Sequence, residues 1–401
     1  MLSWEQTHAW ASMRFSRAWV EIDLAALKHN VQQLVHHLDP QTALMAVVKA
    51  DAYGHGAVTI ARAALDAGAQ WLGVATVPEG IELRQAHITA PILIMGAVNS
   101  HEEINAIAHW RLQPTLVSPK QALVFSEVLA TQVCEYSLPM HLKIDTGMSR
   151  LGCPWHQAQA MVQFVQQLPD LHIASVYSHL ATADSPDTTE MYRQHERFRA
   201  VIAQVSPQFF SPPRLHLANS AGTLAAPDLH YDMVRVGLAL YGVYPAPHLR
   251  HTLFLKPVMT VRARITLIKD VQPGTGISYD HTFVASHPMR IAVVGIGYAD
   301  GVPRALSNQV SVAVKGHLAR QVGNITMDQL MIDVTAIPDL QEGDVVTLLG
   351  QSGKHTLTAD DWAQLTGTIS WEILCRFKHR LPRITVEQPS PQIAMMSGYQ
   401  A

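Results

Sequence analysis

The stretch "TALMAVVKADAYGHGAVTIARAALDAGA", from Thr42 to Ala69, contains one complete strand–loop–helix unit. Its first part, "TALMAVVKA", is a short apolar run typical of a buried strand, whereas "VTIARAALDAGA" is typical of a helix that ends near Gly68. Lys49 stands where the strand meets the loop, and an acid, a tyrosine and a glycine–histidine–glycine turn follow it at once. The stretch therefore predicts a buried strand whose carboxyl end carries a lysine.

The same alternation continues to about residue 250. Helical segments such as "HEEINAIAHW" are separated by further apolar runs: "WLGVAT", "PILIMG", "MHLKIDT", "HIASVYSHL", "RLHLANS" and "DMVRVG". Uniformly apolar strands separated by helices indicate a parallel sheet that is buried on both faces. About eight such units within residues 17–253 predict an α/β fold, a (β/α)8 barrel.

The pattern changes after residue 254. The runs "MTVRARITLI", "MRIAVVGIG", "VSVAVKG", "QLMIDVT" and "DVVTLLG" are strand-like and separated by glycine and proline turns, so residues 254–401 are predicted to form a mainly β domain. "TADD" resembles a capping box and predicts a late helix that begins at Thr358. Residues 1–16 are predicted to be a loosely attached extension that precedes both domains.

The composition is that of an ordinary globular protein. The 401 residues are 48% hydrophobic and 15% charged, and the net charge of −3 argues against a surface that binds nucleic acid. No apolar run is long enough to span a membrane, and the N-terminal segment lacks the apolar core of a signal peptide. Three widely separated cysteines favour a reducing cytoplasm, and the 22 scattered histidines predict no metal site.

Polar residues recur at the carboxyl ends of the predicted strands, where barrel enzymes place their chemistry. They are Lys49, Arg150, His179, the pair Asn219–Ser220, and Arg235. Together they would form a site for an anionic, electrophilic ligand, and the turn "NSAG" leads into a helix start that can hold a phosphate. Taken singly, each residue has a simpler interpretation as a solvated lysine, a core histidine, a structural ion pair or a turn. Spacing alone therefore predicts a phosphate-ligand site and no particular reaction.

"AVVKADAYGHG" closely resembles the pyridoxal-phosphate lysine motif of the bacterial alanine racemases. Further motifs follow in that family's order: "LKIDTGMSRLG", "SHLATAD", "LANSAG", "VRVGLALYG", "GISYD", "GIGYADG", "TMDQLMIDV" and "RLPR". The similarity extends from "RAWVEIDLAAL" to "RLPRITV", which is nearly the whole chain. The resemblance implies a (β/α)8 barrel followed by a β domain, in agreement with the two patterns of strands and helices.

The resemblance also implies a pyridoxal 5′-phosphate site around Lys49, which would form a Schiff base with the cofactor. The other implied cofactor contacts are Tyr53, Asn219, Ser220 and the backbone of Gly237 and Leu238 around the phosphate, Arg150 at the phenolic oxygen, His179, and Arg235 at the pyridine nitrogen. Lys143 matches a lysine that is carbamylated in some members of the family, and it would support Arg150.

Racemisation of an amino acid needs two bases on opposite faces of the substrate, and the resemblance implies Lys49 and Tyr279 for these roles. A tyrosine with its usual pKa near 10 is a poor base at neutral pH. Neighbouring cationic or hydrogen-bonding groups must therefore favour the phenolate, and His179 next to Arg235 could do so.

In this family the tyrosine base comes from the neighbouring subunit, so the resemblance implies a homodimer whose active sites are shared across the interface. Met327 and Tyr298 match positions that cross this interface and shape the substrate entrance, and Arg150 would contact the substrate as well. One departure is His379, which precedes "RLPR" where the family often has a tyrosine that contacts the phosphate in some members. That role is carried over to His379 only weakly.

Several functions compete with that of a cytoplasmic alanine racemase that supplies D-alanine for peptidoglycan. A serine racemase with the same mechanism stays open, and so does a catabolic role. A fold-related decarboxylase would place a carboxylate at the pyridine nitrogen, where the resemblance implies Arg235. A non-catalytic pyridoxal-phosphate carrier would resemble a lone barrel, without the β domain that contains Tyr279.

Overall fold

The structure, a computed structural model, describes residues 16–131, 137–168 and 170–386. The predicted N-terminal extension lies outside these ranges except for Ser16, and so do the last residues, 387–401, of the predicted β domain. The described chain forms two compact units. One comprises residues 28–256, and the other comprises residues 16–27 and 257–386.

Twenty strands lie within the described residues and are numbered in chain order: β1 (Ala18–Asp23), β2 (Ala43–Val47), β3 (Trp71–Val74), β4 (Ile92–Ala97), β5 (Gln113–Leu116), β6 (Leu138–Asp145), β7 (Cys153–Pro154), β8 (Leu171–Tyr177), β9 (Arg214–His216), β10 (Met233–Val236), β11 (Met259–Val271), β12 (Gly276–Ile277), β13 (Phe283–Val284), β14 (Met289–Val294), β15 (Ser311–Val314), β16 (His317–Arg320), β17 (Leu330–Asp333), β18 (Val345–Ser352), β19 (His355–Leu357) and β20 (Arg383–Val386). The α-helices of the same residues are Leu24–His37, Ala57–Asp66, Val77–Gln85, His101–His109, Pro119–Ala130, Ala158–Val165, Thr189–Val205, Ser220–Ala225, Ala359–Thr366 and Ser370–Arg376, and the short segment Lys49–Gly54 is a left-handed helical turn.

The first unit contains a nearly closed barrel of eight parallel strands. Their order is β10-β2-β3-β4-β5-β6-β8-β9, and the short β7 pairs beside β6. Strands β9 and β10 approach each other through two backbone hydrogen bonds, from Asp232 N to Leu215 O (3.1 Å) and from Arg235 N to Ala218 O (3.0 Å). The predicted α/β barrel is therefore confirmed.

The barrel strands are apolar on both faces because helices cover the outside and side chains fill the inside. All five residues of β2 are buried. The helix after it, Ala57–Asp66, turns its small residues inward, and the chain leaves it through Gly68 with a φ of +120°. The predicted end near Gly68 is thus confirmed. One barrel strand, β5, has no counterpart among the predicted apolar runs, because "QPTL" is short and contains a proline and two polar residues.

The second unit is mainly β, as predicted. Its largest sheet has the order β16-β15-β18-β11-β1-β20, with β14, β17 and β19 attached beside this path, and β12 and β13 form a separate two-stranded ladder. The thirteen-residue β11 is the centre of this sheet, because it pairs antiparallel with β1, β14 and β18. A small apolar cluster that includes Ile277, Met289 and Ile291 lies beneath the β12–β13 ladder.

The N-terminal edge of the barrel differs from the prediction. Residues from 17 onward were expected in the barrel, yet β1 pairs antiparallel with β11 and parallel with β20. Strand β1 is as apolar as a barrel strand, so its own sequence does not reveal which sheet it joins. Its partners lie at the far end of the chain, with Val20 opposite Val261 on one side and Arg383 on the other.

The predicted start of the late helix is confirmed. Thr358 is the N-cap of Ala359–Thr366, and its Oγ1 accepts a hydrogen bond from Asp361 N (3.0 Å) while the Asp361 carboxylate accepts one from Thr358 N (3.0 Å). The two bonds make a reciprocal capping box.

Within the residues that the structure describes, no helix is both long enough and apolar enough to cross a membrane.

Replacing Thr358 with alanine should loosen this helix. The cap hydroxyl contributes about 1 kcal/mol, so amide hydrogen exchange across residues 359–366 is expected to become about fivefold faster. Hydrogen-exchange mass spectrometry of the peptides that cover this helix measures the change. Thr358→Ser keeps a hydroxyl and should restore the slow exchange. Equal exchange in the alanine variant and the unmodified protein would refute the role given to the cap.

Candidate active site

Lys49 is followed by a left-handed turn. Four consecutive non-glycine residues, from Ala50 to Tyr53, have φ between 52° and 55° and ψ between 39° and 50°. Each such residue costs about 1–2 kcal/mol relative to a right-handed conformation, so a run of four persists only if its surroundings hold it. The sequence predicted only a loop here. The turn carries Lys49 at its start and Tyr53 at its end.

Glu79 holds the left-handed turn against the neighbouring loop. Its Oε1 accepts a hydrogen bond from Ala50 N (2.7 Å), and its Oε2 accepts bonds from Ala75 N (2.7 Å) and Thr76 N (3.1 Å). One carboxylate therefore ties the loop after β2 to the loop after β3. Glu79 was not predicted as a site residue, although the spacing in "TVPE" is that of the capping box observed at Thr76.

Tyr53 extends from the turn toward the start of the segment after β10. It is buried, and its ring lies 5.0 Å from the ring of Tyr241, whose hydroxyl donates a hydrogen bond to Val47 O (2.9 Å). A Cβ atom at Gly237 would lie 2.5 Å from the Tyr53 hydroxyl oxygen. Only glycine at this position leaves room for the Tyr53 hydroxyl.

Ser220 closes the same region from the preceding loop. Its Oγ accepts hydrogen bonds from Gly237 N (3.0 Å) and Ala239 N (3.5 Å). Leu238 lies between these two amides and is buried. The structure therefore brings together the residues predicted around a phosphate: Tyr53, Ser220, Gly237 and Leu238. Asn219 has a second role, because its side chain caps the helix Ser220–Ala225 by accepting a hydrogen bond from Gly222 N (2.9 Å).

Arg235 is buried at the end of β10 and makes hydrogen bonds to neutral acceptors. Nη2 donates to Ser178 O (2.7 Å), Leu217 O (3.1 Å) and His179 Nδ1 (3.1 Å), and Nη1 donates to His216 Nδ1 (3.0 Å). Burial lowers the pKa of the Arg235 guanidinium to about 10, so it stays charged at neutral pH. Among the described residues no carboxylate forms an ion pair with Arg235, so its simple interpretation as half of an ion pair fails.

His179 is held as a neutral imidazole beside Arg235. Burial holds its pKa well below the usual value, and the nearby positive charges of Arg235, Lys143, Arg150 and Lys49 lower it further. Because Arg235 can only donate, His179 Nδ1 must accept and the proton of the neutral ring must sit on Nε2.

Lys143 lies among the same positive charges. Burial first, and then the charges of Arg235, Arg150 and Lys49, lower the pKa of its ammonium group to about 8, while Asp145 acts in the opposite direction. Because the charges of Lys49, Arg150 and Arg235 all act on the pKa of Lys143, these four predicted cations lie close together at the barrel mouth. A mouth with this charge favours an anionic ligand.

The predicted site residues of the second unit lie on adjoining turns. Tyr298 N donates to Thr326 O (3.0 Å), next to Met327, and Tyr279 O accepts a hydrogen bond from Asn324 Nδ2 (2.9 Å). Tyr279, Met327 and Tyr298 are 71%, 53% and 43% exposed.

The turn that carries Tyr298 is fixed by a buried carboxylate. Asp300 accepts a hydrogen bond from Gly297 N (3.0 Å) and forms ion pairs with Arg17 (2.6 Å) and Arg380 (3.4 Å). His379, next to Arg380, is exposed. The phosphate contact implied for His379 stays a prediction.

Both units match known proteins. The model of the N-terminal domain of alanine racemase matches residues 22–245, and the model of the C-terminal domain of alanine racemase matches residues 258–385. The chain belongs to the alanine racemase family. It is therefore an amino-acid racemase, an isomerase, and the resemblance drawn from its motifs is confirmed.

Individual members of the alanine racemase family are similar over almost their whole length. The alanine racemase of a Nostoc species (strain PCC 7120) is 64% identical over 380 residues, which cover 95% of this chain and 98% of that protein. The crystal structure of the enzyme from D-cycloserine-producing Streptomyces lavendulae has a TM-score of 0.85 at 38% identity and covers 93% of this chain and 98% of its own. The Bartonella henselae enzyme, crystallised with covalently bound pyridoxal phosphate, has a TM-score of 0.82 at 31% identity and covers 92% and 100%.

In the part of the chain that the structure describes, no group of three or more histidine, cysteine, aspartate or glutamate side chains is arranged to hold a metal ion.

Replacing Glu79 with glutamine should destabilise the turn after Lys49. An amide offers one acceptor oxygen where the carboxylate offers two, so at least one backbone N–H loses its partner. We expect the free energy of local opening across residues 50–57 to fall by about 1–3 kcal/mol, measured by hydrogen exchange.

Glu82 provides a matched control on the same helix. Its pKa is raised by burial and by the charges of Asp51 and Glu79, and no hydrogen bond to its carboxylate occurs among the described residues. Glu82→Gln should therefore leave exchange across residues 50–57 unchanged or slow it slightly. A similar loss of protection in both variants would contradict the role given to Glu79.

Proposed function

We propose that this enzyme interconverts L-alanine and D-alanine with pyridoxal 5′-phosphate by a two-base mechanism, and that it supplies D-alanine for peptidoglycan in the cytoplasm. The observation that carries the proposal is the group of positive charges around Lys49 at the barrel mouth. Beside it, the Tyr53 hydroxyl lies so close to Gly237 that no other residue fits at position 237. The names of its relatives support alanine as the substrate.

The residues at the mouth fit this cofactor. Four positive groups match an anion that carries a phosphate and a phenolic oxygen, and a Cβ at Gly237 would fill the space in front of the Tyr53 hydroxyl. Tyr53, Ser220 and the backbone of Gly237 and Leu238 would hold the phosphate. When bound, pyridoxal phosphate would supply an electron sink for the electrons of the substrate Cα–H bond.

Lys49 would bind the cofactor covalently and serve as one of the two bases. Arg150, Arg235 and Lys143 are the cations that act with Lys49 on His179, so all four lie close enough to influence one another. Arg150 would bind the phenolic oxygen of the cofactor and orient the substrate.

Arg235 would face the pyridine nitrogen. A guanidinium with neutral partners disfavours a proton on that nitrogen, whereas a carboxylate there would favour one. This geometry argues against the decarboxylase alternative. A weaker electron sink should also limit side reactions such as transamination.

Tyr279 of the partner subunit would be the second base. Its side chain is 71% exposed in the single chain, which fits a group that acts outside its own protomer. The Nε2–H of His179 would donate a hydrogen bond to the Tyr279 oxygen, and His179 is itself held by Arg235 through Nδ1. Tyr298 and Met327, also exposed, would line the substrate entrance of the same homodimer.

The first test is an activity assay. The purified chain is given pyridoxal phosphate and either L-alanine or L-serine, and formation of each D-enantiomer is followed. Rapid formation of D-alanine with slow D-serine is expected. If D-serine forms faster than D-alanine, the assigned substrate changes from alanine to serine. If neither amino acid gives a D-enantiomer, the proposed function is refuted.

Tyr279→Phe separates the two bases. Racemisation is expected to fall by about 10²–10⁴-fold, because one face of the substrate loses its general base. In deuterium oxide, one alanine enantiomer should still exchange its α-proton without inversion, since Lys49 still serves its own face. Mass spectrometry combined with chiral chromatography measures both rates. Loss of exchange from both enantiomers, or full racemisation, would contradict the assignment of Tyr279.

Lys143 is the group that carbon dioxide is expected to modify. Reaction with carbon dioxide needs the neutral amine, and burial lowers the Lys143 pKa to about 8. The carbamate should therefore form as the pH rises through about 8, whereas an ordinary lysine would need a pH near 10. The negative charge of the carbamate would offset the positive charge of Arg150.

The carbamate can be detected directly. With ¹³C-bicarbonate at pH 8.5, we expect a carbamate carbon signal in the ¹³C spectrum of the unmodified enzyme. The signal should be absent from Lys143→Arg, which keeps the positive charge but cannot form the carbamate. An equal signal in both proteins, or none in the unmodified enzyme, would rule out modification of Lys143.

A further inference from the structure

A chain of buried hydrogen bonds runs from Arg235 away from the barrel mouth. Arg235 Nη1 lies 3.0 Å from His216 Nδ1, and His216 Nε2 lies 2.9 Å from Ser175 Oγ. Ser175 Oγ is 2.6 Å from His141 Nδ1, and His141 Nε2 is 2.7 Å from Gln113 Oε1. The five side chains belong to five different barrel strands, β5, β6, β8, β9 and β10.

The direction of every bond in this chain follows from its first member. A guanidinium can only donate, so His216 Nδ1 accepts and, in a neutral ring, Nε2 carries the proton. His216 Nε2 therefore donates to Ser175 Oγ, and the Ser175 hydroxyl donates to His141 Nδ1. His141 then donates from Nε2 to the Gln113 oxygen, which can only accept. The two ends of the chain thus require the same direction.

Both histidines are neutral, as this direction requires. Burial lowers the pKa of His216 well below its usual value, and burial lowers that of His141 to about 3. An arginine lies beyond each end, Arg235 beside His216 and Arg214 near His141, and each further disfavours protonation. The Tyr177 ring stacks on His216 at 4.6 Å with an interplanar angle of 4°, which fixes the plane of the imidazole.

Such a chain is unusual for this place in the fold. Barrel interiors are dominated by branched apolar side chains, and a buried polar network is no more stabilising than well-packed apolar residues unless every member is satisfied. Here His141, Ser175 and His216 are fully buried and Gln113 is half-buried. Stability alone does not account for three polar residues in this layer. Their arrangement toward Arg235 points to a role in holding that cation.

We propose that His216, Ser175, His141 and Gln113 are positioning residues that hold the Arg235 guanidinium in one orientation and present only lone pairs to it. Each hydrogen bond in the chain polarises the next in the same direction. His216 Nδ1 therefore becomes a stronger hydrogen-bond acceptor for Arg235 than an isolated imidazole would be. The chain takes the place of the carboxylate that would otherwise accompany a buried arginine. The inference rests on the proposed function in one respect, namely that Arg235 faces the pyridine nitrogen of the cofactor.

The first measurement is the tautomer of the two histidines in the cofactor-loaded enzyme. Long-range ¹⁵N–¹H correlation spectra of protein labelled with ¹⁵N-histidine distinguish the two tautomers, and His216→Asn and His141→Asn assign the signals. Both rings are expected to be neutral with the proton on Nε2 between pH 6 and 9. A proton on Nδ1 of either ring, or a doubly protonated ring at neutral pH, would overturn the proposal without any activity being measured.

The second measurement interrupts the chain at its centre. Ser175→Ala should leave His216 Nε2 without its acceptor, so the ¹⁵N signals of His216 should shift toward a mixture of tautomers. The ratio of racemisation to transamination should fall by about tenfold, the low end of what outer-shell partners contribute at functional sites. Ser175→Thr keeps the hydroxyl and should restore both. Unchanged His216 signals and an unchanged ratio in folded Ser175→Ala would overturn the proposal.

Thr115→Val is the matched control for removal of a buried hydroxyl. Thr115 lies on β5, two residues from Gln113, and its hydroxyl bonds to the Tyr177 hydroxyl (2.6 Å) outside the chain. The His216 signals should keep their tautomer in this variant, and a shift as large as that in Ser175→Ala would count against the proposal. If the enzyme racemises neither alanine nor serine, the proposed function fails, while the tautomer of His216 still decides whether the chain exists.

Discussion

Positive charge without a carboxylate partner is the constraint on which the barrel mouth depends. Arg235 is buried at the end of β10, and its hydrogen bonds go to two backbone carbonyls and two neutral imidazoles. Burial, together with the same charge, holds the pKa of His179 well below its usual value, and the charge helps burial to lower the pKa of Lys143 to about 8. A site of this kind is stable only because uncharged acceptors surround the cation, and it favours a ligand that brings the missing negative charge.

Much of the fold could be predicted from the sequence because strand length and apolar character are local properties. The runs "TALMAVVKA" and "DMVRVG" identified barrel strands directly, and "TADD" identified a helix start. Strand β5 was missed because a run of four residues with a proline carries little apolar signal. The partner of β1 was missed for another reason, since pairing between residues hundreds of positions apart leaves no mark on either segment alone.

The site was predictable to the extent that residue type indicates chemistry. Lysine, arginine and histidine at strand ends pointed to an anionic ligand, and the motifs pointed to the cofactor. The residues that hold these groups were not predictable in the same way. Glu79 acts through backbone amides of a left-handed turn that no residue in "KADAYG" requires, because none of its first five residues is glycine. His141 and Ser175 stand in strands that read as ordinary core, and only the assembled barrel shows that they touch.

The pairing of β1 has a consequence for how this chain is made. On the ribosome, β1 emerges first, but one of its neighbours, β20, lies at the other end of the described chain, with Val20 opposite Arg383. The barrel between them contains all of its own strands and can fold during synthesis, since domains generally fold as units from the N-terminus. Until β11 and β20 have been synthesised, both edges of the apolar strand β1 stay unpaired. Exposed strand edges of this kind can pair with other molecules. Helix Leu24–His37 directly follows β1 and continues into the barrel unit. Early folding of the barrel would therefore leave β1 attached to a folded domain through this helix, which limits how freely the unpaired strand can meet other molecules.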